Sequence, residues 1–233
     1  MVKIEVENFI NQFWKYYVNL ENDFLSLERY VTFESDNLST YSLEYNRLYQ
    51  AIGSEVDVVA KELCRLLGNN GSKNITGYCK TINDKCTKFK DEEIEVKIFK
   101  TKIYPWKDCD KKAAKKELNN PIWWELYNKV KHFRLAICDY ENCDLLNKPF
   151  YKAANLKNVL DALAGLFQLE FYCLLKICDT EHDWDYFSLL NCFDSKLFIP
   201  YNWSNFKYSF MGNDFIDEDK LREKLKKENI FNI

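Results

Sequence analysis

Residues 120–138 read NPIWWELYNKVKHFRLAIC and hold one of the two histidines in the 233-residue chain. Asn120 can cap a helix here, with Pro121 at its first position, where a missing N–H costs nothing. At 100° per residue Trp123, Leu126, Val130, Phe133 and Ile137 share one face, which predicts a helix through Cys138 with that stripe in the core. Asn128 and His132, four residues apart, are neighbours on a second face, flanked by Trp124, Glu125 and Lys131.

Working outward, two long helices precede this one. Phe9, Phe13, Tyr16, Leu20, Phe24 and Leu27 repeat at three- and four-residue spacing and predict a helix over 5–31. Leu48, Ile52, Val56, Val59, Leu63 and Leu66 do the same for a helix over 42–67, which Gly68 and the GNNGS loop terminate. A short helix is predicted at 75–86. EIEVKIFKTKIY, residues 93–104, alternates Ile94, Val96 and Ile98 with charged residues, the period of a strand with one wet face. After the central helix, 152–178 predicts a fourth long helix. Its middle, VLDALAGLFQLEFYCLL, is apolar almost all round, and Ala162, Ala164 and Gly165 allow close approach of neighbours. Beyond it lies DTEHDWD and an aromatic-rich tail, with short strands expected at 197–199 and 206–210 and a charged surface helix at 217–229.

The expected fold is therefore mostly α: a bundle of four long helices with a small β insertion, the strand near 93–104, and an irregular C-terminal tail. We read one domain over 1–233, with an insertion at 69–119 and a C-terminal extension at 180–233. Hydrophobic residues make up 47% of the chain, enough for a sizeable core, so a disordered chain is excluded. A formal charge of −3 excludes a globally basic nucleic-acid binder, but 73–116 holds 13 Lys against 7 acids, a solvated lysine-rich insertion or a local phosphate-binding surface. No apolar run approaches the roughly 20 residues of a membrane span. MVKIEVENF places acids where a signal peptide has its apolar core, which predicts a cytoplasmic protein. Nine cysteines without a C-x-x-C pair are expected to be free thiols.

His132 can exchange a proton near neutral pH. Asn128 can orient a phosphate or ribose, and Lys131 or Arg134 can neutralise a phosphate. These are the parts of metal-free RNA cleavage; K-H-F-R is equally an ordinary exposed helix face. Glu55, at the edge of the second helix's stripe, is placed to face His132 or Arg134, as orienting group or as a structural ion pair. His182 in DTEHDWD lacks the spacing of a metal motif. No cofactor fingerprint and no metal site are expected.

The long-helix pattern, YNKVKH on the third long helix and NLKNVLDALAGLFQLE on the last together resemble the HEPN superfamily, the α-helical domains of prokaryotic RNase toxins and abortive-infection proteins. The resemblance covers roughly 5–67 and 121–178. The family motif is an Arg, a polar residue and a His four to six residues past the Arg. Asn128 and His132 match, and Tyr127 stands in place of the Arg. The resemblance implies a metal-independent endoribonuclease of a defence or toxin system, acting as a homodimer with the motif helices face to face, with RNA and an antitoxin or other partner protein as associates. His132 would be acid or base, Asn128 would position the phosphate, Lys131 would supply charge and Glu55 would orient the site. The missing Arg equally fits a non-catalytic HEPN-like module that binds RNA, a nucleotide or a partner protein. A purely structural interaction protein, with the aromatics around Trp203 and Phe210 as contact surface, is the third reading.

Overall fold

The computed structural model describes residues 7–107, 109, 114–119, 121–180 and 194–200. Within them the chain is mostly helical, with α1 (Lys15–Ser26), α2 (Leu43–Leu66), α3 (Ile75–Lys85), α4 (Ile122–Phe133) and α5 (Leu156–Thr180). Three short strands, β1 (Ile94–Val96), β2 (Thr101–Ile103) and β3 (Phe198–Pro200), form an antiparallel sheet in the order β2-β1-β3. The tail features expected at 206–210 and 217–229, the contact surface around Trp203 and Phe210, the His182 cluster and the Asn120 cap lie outside the described residues.

The most extensive helix pairing is α2 on α5, and α4 packs across both. α2 starts where Ser42 accepts a hydrogen bond from the Tyr45 amide at 3.0 Å. It ends in a Schellman turn: Gly68, at φ +84°, takes the left-handed conformation, and the Asn69 and Gly68 amides return to the Cys64 and Arg65 carbonyls. Asn74 caps α3 in the same manner as Ser42 caps α2. Gly165 does what its small size predicts, because a Cβ there would lie 2.7 Å from the Trp123 ring. The span Leu156–Ile177 is long and apolar enough to cross a membrane, contrary to the sequence expectation, yet 94% of its apolar window is buried in the protein's own core.

Four expectations need correction. The first helix does not run regularly from 5 to 31. A π-turn at Ile10–Trp14 adds a residue to one turn, so Phe9, Trp14, Tyr17, Leu20 and Phe24 are buried and Tyr16 faces solvent. The strand at 93–104 is a hairpin. Phe99 turns back onto the Val96 carbonyl and Lys100 adopts φ +50°, leaving Ile98 exposed. The partner expected at 197–199 is real, since β3 pairs β1 with Val96 opposite Phe198. The insertion at 69–119 is not peripheral: Tyr78, Ile82, Phe89 and Trp106 join the one large core cluster, and the Trp106 indole donates to the Gly165 carbonyl at 3.0 Å.

The fourth correction concerns α4. Pro121 is its N-cap, and the helix stops at Phe133. From Arg134 the backbone pairs with a returning segment: Tyr151 donates to Arg134, Phe150 to Ala136 and Cys138 to Lys148. Phe133 and Ile137 are consequently exposed, while Trp124, placed by periodicity away from the core, is buried, as is Tyr127. Cys64, Cys79, Cys86, Cys109, Cys138, Cys143 and Cys173 are buried thiols in no disulfide.

Candidate functional site

The described structure gathers polar groups away from His132. A cleft of about 440 Å³ opens between the starts of α4 and α5 and the segments around Tyr104 and Cys143, within the size range of small-molecule sites. Its back wall is fixed by two indoles. Trp123 donates to the Pro105 carbonyl at 2.7 Å, and Trp106 meets it edge-on with ring centroids 5.3 Å apart. The Tyr49 hydroxyl of α2 holds the Trp123 carbonyl. Tyr104 forms a side wall, its hydroxyl tied to Glu93, with the Lys107 ammonium 5.4 Å from its ring centroid.

Several amides lining the cleft are structural. Asn142 clasps the Leu118 backbone through both its oxygen and its nitrogen. Asn155 caps α5, accepting from the Asn158 amide at 2.9 Å while donating to the Lys152 carbonyl. Asn158 uses its NH₂ on the Ala153 carbonyl at 2.9 Å, which leaves its Oδ1 as an acceptor. One turn further along α5 stands Asp161, which receives no protein hydrogen bond among the described residues. Burial pushes its carboxyl up to about 6, with Lys157 pulling the other way. Burial pushes the Cys143 thiol beside them up to about 12.

A second lobe of about 440 Å³ adjoins the first and shares Asp144, Leu145, Asn155 and Lys157 with it. It adds Lys148, Lys152 and Tyr41, with the Lys152 ammonium 5.4 Å from the Tyr41 ring centroid. Lys157 makes an exposed ion pair to Asp144 at 3.6 Å, a contact worth little in water.

The residues singled out by sequence sit elsewhere. His132 is exposed and touches the Phe133 ring, with no hydrogen bond among the described residues. Asn128 turns its NH₂ back to the Trp124 carbonyl at 3.1 Å, and Arg134 turns its Nε to the Val130 carbonyl at 3.4 Å. Lys131 lies over the Tyr127 ring at 5.6 Å. Tyr127 is buried against Gly53, where an added Cβ would meet its ring at 2.4 Å. Glu55 lies two residues from Gly53 along α2, so it points away from α4. No hydrogen bond or ion pair joins it to His132 or Arg134 among the described residues. Its electrostatic neighbour is Glu170 on α5. Among the described residues no cluster of three metal-ligating side chains occurs.

Glu170 is almost fully buried, and neither carboxyl oxygen has a hydrogen-bond partner. Burial, and then the Glu55 charge, push its carboxyl well above the ordinary range. A raised carboxyl means the folded state holds a proton that the unfolded chain releases at about pH 4.5. Its contribution is therefore least unfavourable at acid pH and worsens as pH rises from there towards the folded value. Glu170→Gln should stabilise the chain, with a gain over wild type that grows as pH rises above the ordinary carboxyl range in denaturant titrations. A gain independent of pH would contradict the assignment.

Asp161 and Glu170 are the two acids in the apolar run 159–175, and that was the signal for both. A carboxylate inside an apolar helix is rarely buried without cause. Lys107 lies in the lysine-rich stretch 73–116, but Lys148, Lys152 and Lys157 gave no comparable signal, because they come from a loop, a short turn and a helix start. No protein-family model, no curated protein and no solved structure matches this chain.

Proposed function

We propose that this chain is a non-catalytic HEPN-like module, a four-long-helix bundle in its essential pattern, that binds RNA or a nucleotide rather than cutting it. The observation that carries the reading is Tyr127 buried against Gly53: the position of the family's Arg belongs to the core, where no guanidinium can reach a phosphate. Asn128 and Arg134, engaged on their own helix backbone, point the same way. The two-lobed cleft, with four lysines, an aromatic wall and a carboxyl floor, is the better place for a ligand.

The module acts as a homodimer through the end of α4. Phe133, Leu135 and Ile137 are 58%, 81% and 57% exposed, an apolar strip beside His132 that a second copy can cover. Leu135→Asp should convert the dimer to monomer in sedimentation velocity; a wild type that is monomeric at all concentrations would remove this part of the reading. The functional test is incubation of a mixed RNA pool with the full chain, with and without divalent metal. The expected result is intact RNA. Fragments with 2′,3′-cyclic phosphate ends, lost in His132→Ala, would restore the ribonuclease.

A further inference from the structure

The two lobes differ in chemistry in a way that orients a ligand. The outer lobe presents Lys148, Lys152 and Lys157 against one carboxylate, Asp144, whose side chain is almost fully exposed. It is a place for a compact anion with several oxygens. The inner lobe ends on two acceptors: the Asp161 carboxylate and Asn158 Oδ1, whose companion NH₂ already gives one N–H to the Ala153 carbonyl. A wall of the inner lobe is the exposed Tyr104 ring, its hydroxyl held by Glu93, a flat surface on which a planar heterocycle can stack. The lobes are continuous through Lys157 and Leu145.

An accepting carboxylate at the floor selects a planar group that offers two adjacent donors. The edge of guanine offers N1–H and N2–H₂ side by side, and a carboxylate can accept from both. The same edge of adenine pairs one donor with one acceptor, so one carboxylate oxygen would face a ring-nitrogen lone pair.

We infer that the cleft binds a guanosine phosphate, with the base in the inner lobe on Asp161 and the phosphate among Lys148, Lys152 and Lys157. This rests on the reading of the chain as a binding module. The ligand is either a free guanine nucleotide or the 5′-phosphoguanosine end of an RNA, since both present the same groups.

The test is calorimetric titration of the full-length chain with GMP, AMP, and a short RNA carrying a 5′-phosphoguanosine. Wild type should bind GMP, the RNA, or both, and prefer guanosine to adenosine at that position by about tenfold or more. Asp161→Asn, which removes a part-buried charge and so should fold, should erase the preference. Lys152→Glu should weaken GMP and AMP alike. Binding of the RNA but not GMP, with the same dependence on Asp161, identifies the RNA end as the source. Equal affinity for GMP and AMP, or a preference untouched by Asp161→Asn, overturns the assignment. RNA binding that ignores both variants sinks this inference and leaves the module reading standing. No binding of any of the three ligands sinks both.

Discussion

Replacing Glu21 with Ala should cost the folded chain about 3–5 kcal/mol, the largest loss expected from any single substitution at a polar side chain here. Glu21 is buried on α1, and its carboxylate collects four donors. The Tyr17 hydroxyl reaches it at 2.9 Å, the Lys196 amide at 3.0 Å and the Leu197 amide at 3.1 Å, and the Ser195 hydroxyl also donates to it. Ser195 in turn accepts from the Phe198 amide at 2.8 Å. This knot delivers the chain to β3, which pairs with β1 and seats Phe198 beside Phe167 of α5. Removing the carboxylate strands several buried donors together, each worth about 1–3 kcal/mol when unsatisfied. Glu21→Gln should fall between, because its NH₂ would oppose donors it replaces acceptors for. Denaturant midpoints measure the loss. Hydrogen exchange locates it, since the Lys97 amide, bonded to the Leu197 carbonyl at 2.8 Å, should lose protection first. A loss below about 1 kcal/mol would mean the knot does not hold the segment.

Gly53→Ala should be the second large effect, and its sign opposes helix propensity. Gly to Ala inside a helix ordinarily gains about 0.5–1 kcal/mol. Here the new Cβ would lie 2.4–2.6 Å from three carbons of the Tyr127 ring. That ring is buried and set edge-on to Tyr49, centroids 5.9 Å apart, so it has no free direction in which to move. The expected result is a net loss of about 1–3 kcal/mol. Adding Tyr127→Leu should return part of it, because a smaller side chain leaves room for the methyl. A stabilised Gly53→Ala would show Tyr127 free to swing out, and with it the possibility that this position serves a site rather than the core.

The parts of this fold legible in the sequence were those governed by neighbours along the chain. Ser42, Gly68 and Asn74 mark helix ends through local hydrogen bonds and a left-handed turn, and each acts as its residue type implies. Gly165 announced a close approach, and Trp123 makes it. What stayed hidden was decided by distant partners. The end of α4 at Phe133 follows from backbone pairing with residues 147–151, which no periodicity over 120–138 can register. The π-turn at Ile10–Trp14 shifts a regular stripe by one residue, moving Tyr17 inward and Tyr16 outward.

The candidate site was hidden for the same reason. Rarity drew attention to His132, and a four-residue spacing paired it with Asn128. The cleft instead joins Tyr104 and Lys107, Cys143 and Asp144, and Asn158 and Asp161, three stretches that only the folded chain brings together. Asp161 is the one clue in the sequence, an acid in an apolar helix, and the plainly core character of the helix around it masks it.

The most direct measurement of the central claim is equilibrium binding of a fluorescent RNA to wild type, His132→Ala and Lys157→Glu, with the RNA recovered and sized afterwards. A binding module working through the cleft predicts wild-type affinity for His132→Ala, a loss of about tenfold or more for Lys157→Glu that is steep in salt, and full-length RNA throughout. Shortened RNA with wild type, restored to full length by His132→Ala, with Lys157→Glu binding normally, would contradict it.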